Sequence, residues 1–259
     1  MKIIIRGCVI LSFLSMLSAC ANLPYNHLSA EARNQLAAVD VYLVVPQDEI
    51  YAQIDQSNVA AAGGGGLLLA LIDAAVESSR TKSAEEIIQP VRDKMLNFDY
   101  ADMLAGEINS ALKSVTWLHA GDIQLLRSAE KDQLSDLYNK SRSSALLYIT
   151  ADYSLTSNFQ AAVTKVSLAL YPKTDSLSKY REREDKNATP TDFTDNIYRN
   201  SLESSTTVVS DSKKKKEEAA AEVAEASPGL LVDALTANAR NIGRLIKEDI
   251  ETGKTDKEK

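Results

Sequence analysis

The sequence predicts an α+β fold: a small, mainly antiparallel sheet, helices packed on one face of it, and a long C-terminal helix. Three observations lead there. Apolar and polar residues alternate through 145–171 with one break at Ser157-Asn158, as a hairpin buried on one face requires. Val39-Asp40-Val41-Tyr42-Leu43-Val44-Val45 is rich in β-branched residues and stops at Pro46, the pattern of a buried strand. Residues Leu231, Leu235, Asn238, Ile242, Leu245 and Ile246 line one face of a helix opened by Ser227-Pro228 and ended by Gly253. A composition of 44% hydrophobic and 25% charged residues is that of a packed globular chain rather than a disordered or fibrous one.

The remaining elements follow in order. Ser29 to Ala38 is a weak short helix, and residues 59–76 form an apolar stretch around Gly63-Gly64-Gly65-Gly66. Ser83 with Glu86 forms a capping box ahead of Ile87, Ile88, Val91 and Met95, with Pro90 kinking that helix or shifting its start. Asp99 caps a helix that shows Met103, Leu104, Ile108, Ala111 and Leu112 to the core. Val115 to His119 is a short strand candidate, and Ser128 opens a helix carrying Leu134, Leu137 and Tyr138. In the hairpin, Leu147, Ile149, Ala151, Tyr153 and Leu155 alternate with Tyr148, Thr150, Asp152, Ser154 and Thr156; Val166, Leu168 and Leu170 resume the alternation. Residues 173–196 are polar and read as a mobile loop, 197–209 as a modest strand, and 210–226 as low-complexity, frayed helix.

The N-terminus carries the most specific signal. Lys2 and Arg6 form a basic start, Cys8 to Leu17 an apolar run too short to span a bilayer, and small residues precede Cys20, so residues 1–19 read as a signal peptide. Leu17-Ser18-Ala19-Cys20 resembles the lipobox of bacterial lipoproteins at all four positions. The resemblance implies cleavage before Cys20 and a diacylglyceryl thioether on its sulfur, with a further acyl chain such as palmitate on the new amine. Two or more acyl chains hold a protein on a membrane durably. Ala21 in place of Asp implies, for a Gram-negative host, transfer to the outer membrane. The competing reading is an ordinary signal peptide with an incidental cysteine.

Processing would remove Lys2 and Arg6, taking the net charge from −7 to −9, and would remove Cys8. With Cys20 lipidated no disulfide is available, so stability must come from packing. The expected organisation is a tether at 20–28, an α+β core at 29–172, a polar loop and low-complexity insertion at 173–226, a helix at 227–253 and a tail at 254–259. The order of elements over 39–171 resembles the periplasmic domains of curli-secretion and polysaccharide-export lipoproteins.

No motif carries chemistry. Gly66 is followed by Leu67-Leu68-Leu69, without the Lys and hydroxyl of a phosphate loop. His27 and His119 stand alone, and Asp73 is an isolated polar group on an apolar helix. Glu85-Glu86 and Glu248-Asp249 are sequence neighbours that point apart on a helix, and no Gly-x-Ser-x-Gly elbow occurs. Lys213 to Lys216 are followed at once by Glu217 and Glu218, a solvated face more than an anion site. Tyr198-Arg199-Asn200 reads as buried polar anchoring. Net negative charge disfavours nucleic acid. The expectation is therefore a lipid-anchored, periplasm-facing envelope protein. It would act without catalysis, cofactor or metal, binding an envelope partner or its own copies through 59–76 or 173–226. A carrier that binds lipid or glycan is the competing function.

Overall fold

Residues 145–172 do what their alternation demands, and the rest of the protein is arranged around them. The computed structural model describes residues 25–53, 80–130, 132–181 and 195–252. The expected signal peptide, Cys20, the 59–76 segment with its glycine run and Asp73, and the expected tail all lie outside the described residues. In chain order the elements are α1 (Ala30–Arg33), β1 (Val39–Val44), β2 (Tyr51–Ala52), α2 (Arg80–Met95) and α3 (Tyr100–Ser114). Then come β3 (Ala120–Leu126), α4 (Gln133–Lys140), β4 (Ala145–Leu155), β5 (Ala161–Pro172) and α5 (Asp175–Ser178). The chain closes with β6 (Tyr198–Thr207), α6 (Lys216–Ala226) and α7 (Gly229–Thr252).

The fold class is α+β, but the sheet is mixed rather than mainly antiparallel. Its order is β3-β1-β4-β5-β6, with β2 pairing β4. β1 runs parallel to β3 on one side and to β4 on the other, and β2 is also parallel to β4. Only the β4–β5 and β5–β6 pairs are antiparallel. The physical reason lies in β1: flanked on both sides and nearly all buried, it needs neighbours delivered by helical crossovers, which produce parallel pairs.

One sheet face carries the main core. Val41, Leu43, Leu147, Ile149, Val166, Leu168 and Leu170 meet Leu104, Ile108 and Leu112 of α3 and Leu231, Leu235, Ile242 and Ile246 of α7. Gly243 lets these two helices approach, since a Cβ there would stand 3.0 Å from the Glu107 carbonyl oxygen. Helices do not keep to that face alone. Tyr138 of α4 packs with Tyr42, Leu146, Ala169 and Tyr171 on the opposite side.

Several elements are placed differently from expectation. The short strand expected at Val115–His119 is a 3₁₀ turn over Thr116–Leu118, and β3 follows it. Gly121 and Asp122 at the head of β3 hide the alternation of Ile123 and Leu125. α2 already begins at Arg80, so Ser83 is not its cap, and the helix runs through Pro90 to Met95. α4 starts at Gln133 rather than near Ser128, after Asp132 takes a left-handed φ of 65°. Asp99 does cap α3, accepting from the Asp102 N–H at 3.0 Å. α7 begins at Gly229, with the Val232 N–H donating to the Pro228 carbonyl at 2.9 Å, and Leu245 is only half-buried.

Residues 25–28 of the expected tether, and the described residues of the expected insertion, belong to the fold. Asn26 and Arg199 exchange backbone hydrogen bonds at 3.0 Å each, and Leu28 is buried, so the folded unit reaches back to Tyr25. Within 173–226, α5 and β6 are formed. α6 buries Ala219, Ala220 and Val223 in the core and is held to α2 by Lys94 Nζ donating to the Ala224 carbonyl at 2.5 Å.

Candidate functional site

The three parallel strands β3, β1 and β4 point their carboxyl ends the same way, and after β1 and the short β2 the chain crosses to β3 on one side of β1 while β4 lies on the other. In open sheets such a switch point leaves a crevice beyond the strand ends. Here the crevice is a cleft of about 210 Å³ lined by Gln47, Asp48, Leu96, Asn97, Phe98, Asp99, Tyr100, Ala101, Arg127 and Tyr153. Gln47 and Asp48 follow β1, Arg127 follows β3, and Tyr153 lies near the end of β4. Residues 96–99 are the turn from α2 into α3, and Tyr100 and Ala101 open α3.

The polar groups are fixed in place. Arg127 donates to Asp99 Oδ2 at 2.6 Å and to Asp102 Oδ1 at 2.9 Å. Gln47 brackets the Tyr153 backbone, donating to its carbonyl at 2.8 Å and accepting from its N–H at 3.0 Å. Burial pushes the Tyr153 phenol up to about 12, with the charges of Asp99 and Asp48 raising it further and Arg127 opposing them. Burial also works to raise the Asp99 carboxyl, but the Asp102 N–H and Arg127 outweigh it and hold that group below its ordinary value. At neutral pH the cleft therefore presents an ionised carboxylate, a protonated phenol, a guanidinium and amides. These suit hydrogen-bonded binding more than proton transfer, for which a group poised near neutrality is wanted. Leu96, 70% exposed, stands on the rim.

Two further polar centres lie outside the cleft. Asp152, 2% exposed on the outer sheet face, accepts from the Tyr51 hydroxyl at 2.6 Å, while its Oδ1 has no hydrogen-bond partner among the described residues. Burial pushes its carboxyl up to about 6. At the other end of the sheet the buried carboxylate of Asp249 accepts from Tyr25 at 2.6 Å and from the Tyr198 hydroxyl.

The residues singled out in the sequence do not converge. Tyr198, Arg199 and Asn200 are buried, as anchoring implies. Glu248 pairs with Arg244 while Asp249 faces inward, and Glu85 binds Arg92 while Glu86 is exposed. Lys214 pairs with Glu222, and Lys216 lies 5.7 Å from the Phe159 ring centre. His119 is exposed with a left-handed φ of 49°, and His27 packs edge-on to Tyr25. Among the described residues no group of three or more His, Cys, Asp or Glu could hold a metal, and no described helix is long and apolar enough to cross a membrane. The cleft residues are far apart in sequence, and only the parallel pairing brings them together. Asp99 was legible as a cap and Tyr153 as part of the alternation, but neither as a lining group.

No protein-family model matches the chain, and no curated protein matches it. Among solved structures it is similar to the PelC dodecamer from Paraburkholderia phytofirmans at 12% identity and a TM-score of 0.26, covering 85% of this chain and 90% of that one. A singly substituted form of the same dodecamer gives 12% identity and a TM-score of 0.25, covering 80% and 88%. Likeness at this level carries no functional weight.

Proposed function

We propose that this is a lipid-anchored protein of the bacterial outer membrane whose domain faces the periplasm and works by binding rather than catalysis. It would be an assembly component for an envelope partner or for further copies of itself. The observation that carries the reading is Leu17-Ser18-Ala19-Cys20, four matching positions placed only a few residues before Asn26, which pairs with Arg199. The contact surface is better sought at the exposed Leu96 and the cleft beside it than in 210–226, because α6 buries one face in the core. The test is intact-mass measurement of Cys20 and membrane fractionation of the wild type beside Cys20→Ala. Acyl mass on Cys20, with release of the alanine variant from the membrane fraction, is expected. An unmodified cysteine would sink the reading. Detergent chromatography with light scattering then reports native mass, and a clean monomer with no co-eluting protein would remove the assembly role.

The cleft favours a second reading, a carrier for a small polar ligand. Its fixed carboxylates, guanidinium and amides match the alternating donors and acceptors of a sugar better than a lipid tail. Saccharide-dependent shifts in the amide signals of Gln47, Asn97 and Tyr153 would support it, and their absence across a panel of neutral and amino sugars would refute it.

A further inference from the structure

The cleft lies at the carboxyl ends of the parallel strands; the node formed by Tyr25, Tyr198 and Asp249 lies at their amino ends. The register fixes this, since Tyr198 pairs with Leu170 and Leu170 with Leu147, six strand positions before Tyr153. At about 3.3 Å per residue the two levels are ~20 Å apart. Only five residue steps separate Cys20 from Tyr25, a span of at most ~17 Å even when fully extended.

Tyr25 is not free to swing. Its hydroxyl is bonded to the buried Asp249, its ring packs against Tyr198 at 6.5 Å, and the next residue is paired to β6. The surface around this node is built from the C-terminal end of α7, α1 and the 3₁₀ turn. Arg33 donates to the Glu251 carbonyl at 3.0 Å and lies over the Trp117 ring at 5.1 Å. Among the described residues the buried Nε of Arg33 has no hydrogen-bond partner. A guanidinium that is bonded to a main-chain carbonyl and stacked on a half-buried indole has the chemistry of the headgroup layer. There the cation meets phosphate, and tryptophan sits with an apolar body and a polar N–H.

We infer that the end of the domain carrying Tyr25, Arg33 and Trp117 rests on the phospholipid headgroup surface, so that the cleft is held at the membrane-distal end, open to the periplasm. The inference rests on the anchor at Cys20 and adds the orientation that the anchor imposes. The short chain before Tyr25 supplies the constraint: it leaves the amino ends of the strands at the bilayer and their carboxyl ends away from it.

Trp117 is the chain's single tryptophan, so its emission reports this contact alone. The experiment uses full-length lipidated protein in phosphatidylglycerol–phosphatidylethanolamine vesicles with spin-labelled lipids, after the mass of Cys20 has been measured on the same sample. The expected result is loss of Trp117 emission with headgroup-labelled lipid and little loss with label deep in the acyl chains. Inserting a Gly-Ser spacer of roughly twenty residues between Asn22 and Leu23 adds ~25 Å of mean reach and should restore the emission, leaving the folded residues untouched. A lipidated chain whose Trp117 is unquenched, or equally quenched with the spacer, overturns the orientation and leaves the anchor standing. An unmodified Cys20 overturns both.

Discussion

Asp152→Asn should make the protein more stable at neutral pH, although it removes a charge that is hydrogen-bonded and has a lysine opposite it. Asp152 projects from β4 onto the outer sheet face beneath Tyr51, with Lys165 directly across on β5 and Glu203 beyond it on β6. Burial raises the carboxyl from 3.8 to about 6, and the attractions of Tyr51 and Lys165 are too small to reverse this. Lys165 divides its charge with Glu203, 3.4 Å from its Nζ. A raised folded-state value means that the folded protein holds its proton more tightly than the unfolded chain. The stabilisation is thus complete below about pH 4 and lost as pH rises through about 6. The rise corresponds to about 3 kcal/mol. Urea unfolding of the Cys20→Ala chain and of the same chain with Asp152→Asn, from pH 4 to pH 8, measures it directly. The variant should gain up to about 3 kcal/mol over the parent across that range, moving the urea midpoint apart by roughly 1 M. A stability difference that does not change between pH 4 and pH 8 would show that burial is not the dominant influence on Asp152.

Other substitutions test other contacts. Asn238→Ala removes the amide that accepts from Ser204 and Thr206 and donates to the Ala162 carbonyl at 2.9 Å, so it should cost about 2–4 kcal/mol in urea unfolding, more than a simple truncation. Gly243→Val places branched carbons against the Glu107 carbonyl and should cost about 1–3 kcal/mol, visible as a lowered thermal midpoint. Leu96→Glu should leave stability within about 0.5 kcal/mol because the side chain is already in water, and should lower the native mass if the rim is a contact between copies.

The sequence made the hairpin, β1, the Asp99 cap and the last helix legible because each is specified locally, by period or by capping. Parallel pairing is not local. β3 reads weakly since Gly121 and Asp122 open it, and only its place beside the buried β1 makes a strand of it. α6 reads as low complexity because alanine and glutamate give little amphipathic contrast. Its small side chains nonetheless fit closely against the core at Ala219, Ala220 and Val223. Residues 25–28 looked like spacer because nothing in Tyr25-Asn26-His27 is apolar enough to announce a core contact. Their partners Arg199 and Asp249 are distant in sequence.

The same distinction explains why no site could be read in advance. A motif is visible when neighbouring residues share a task, as is proposed for Leu17 to Cys20. The cleft draws Asp48, Asp99, Arg127 and Tyr153 from four separate segments, and each has a sufficient local explanation as loop, cap, strand end or alternating core residue. Asp99 serves both purposes through different atoms: Oδ1 caps α3 while Oδ2 holds Arg127. Replacing it with Asn separates them. The amide oxygen can still cap, so helix content and stability should change by less than about 1 kcal/mol. The guanidinium loses a charged partner, keeps Asp102, and is freed to reorient toward the cleft. If Arg127 helps to hold a ligand, Asp99→Asn changes binding without changing folding; equal loss of both would mean that Asp99 matters here only as a cap.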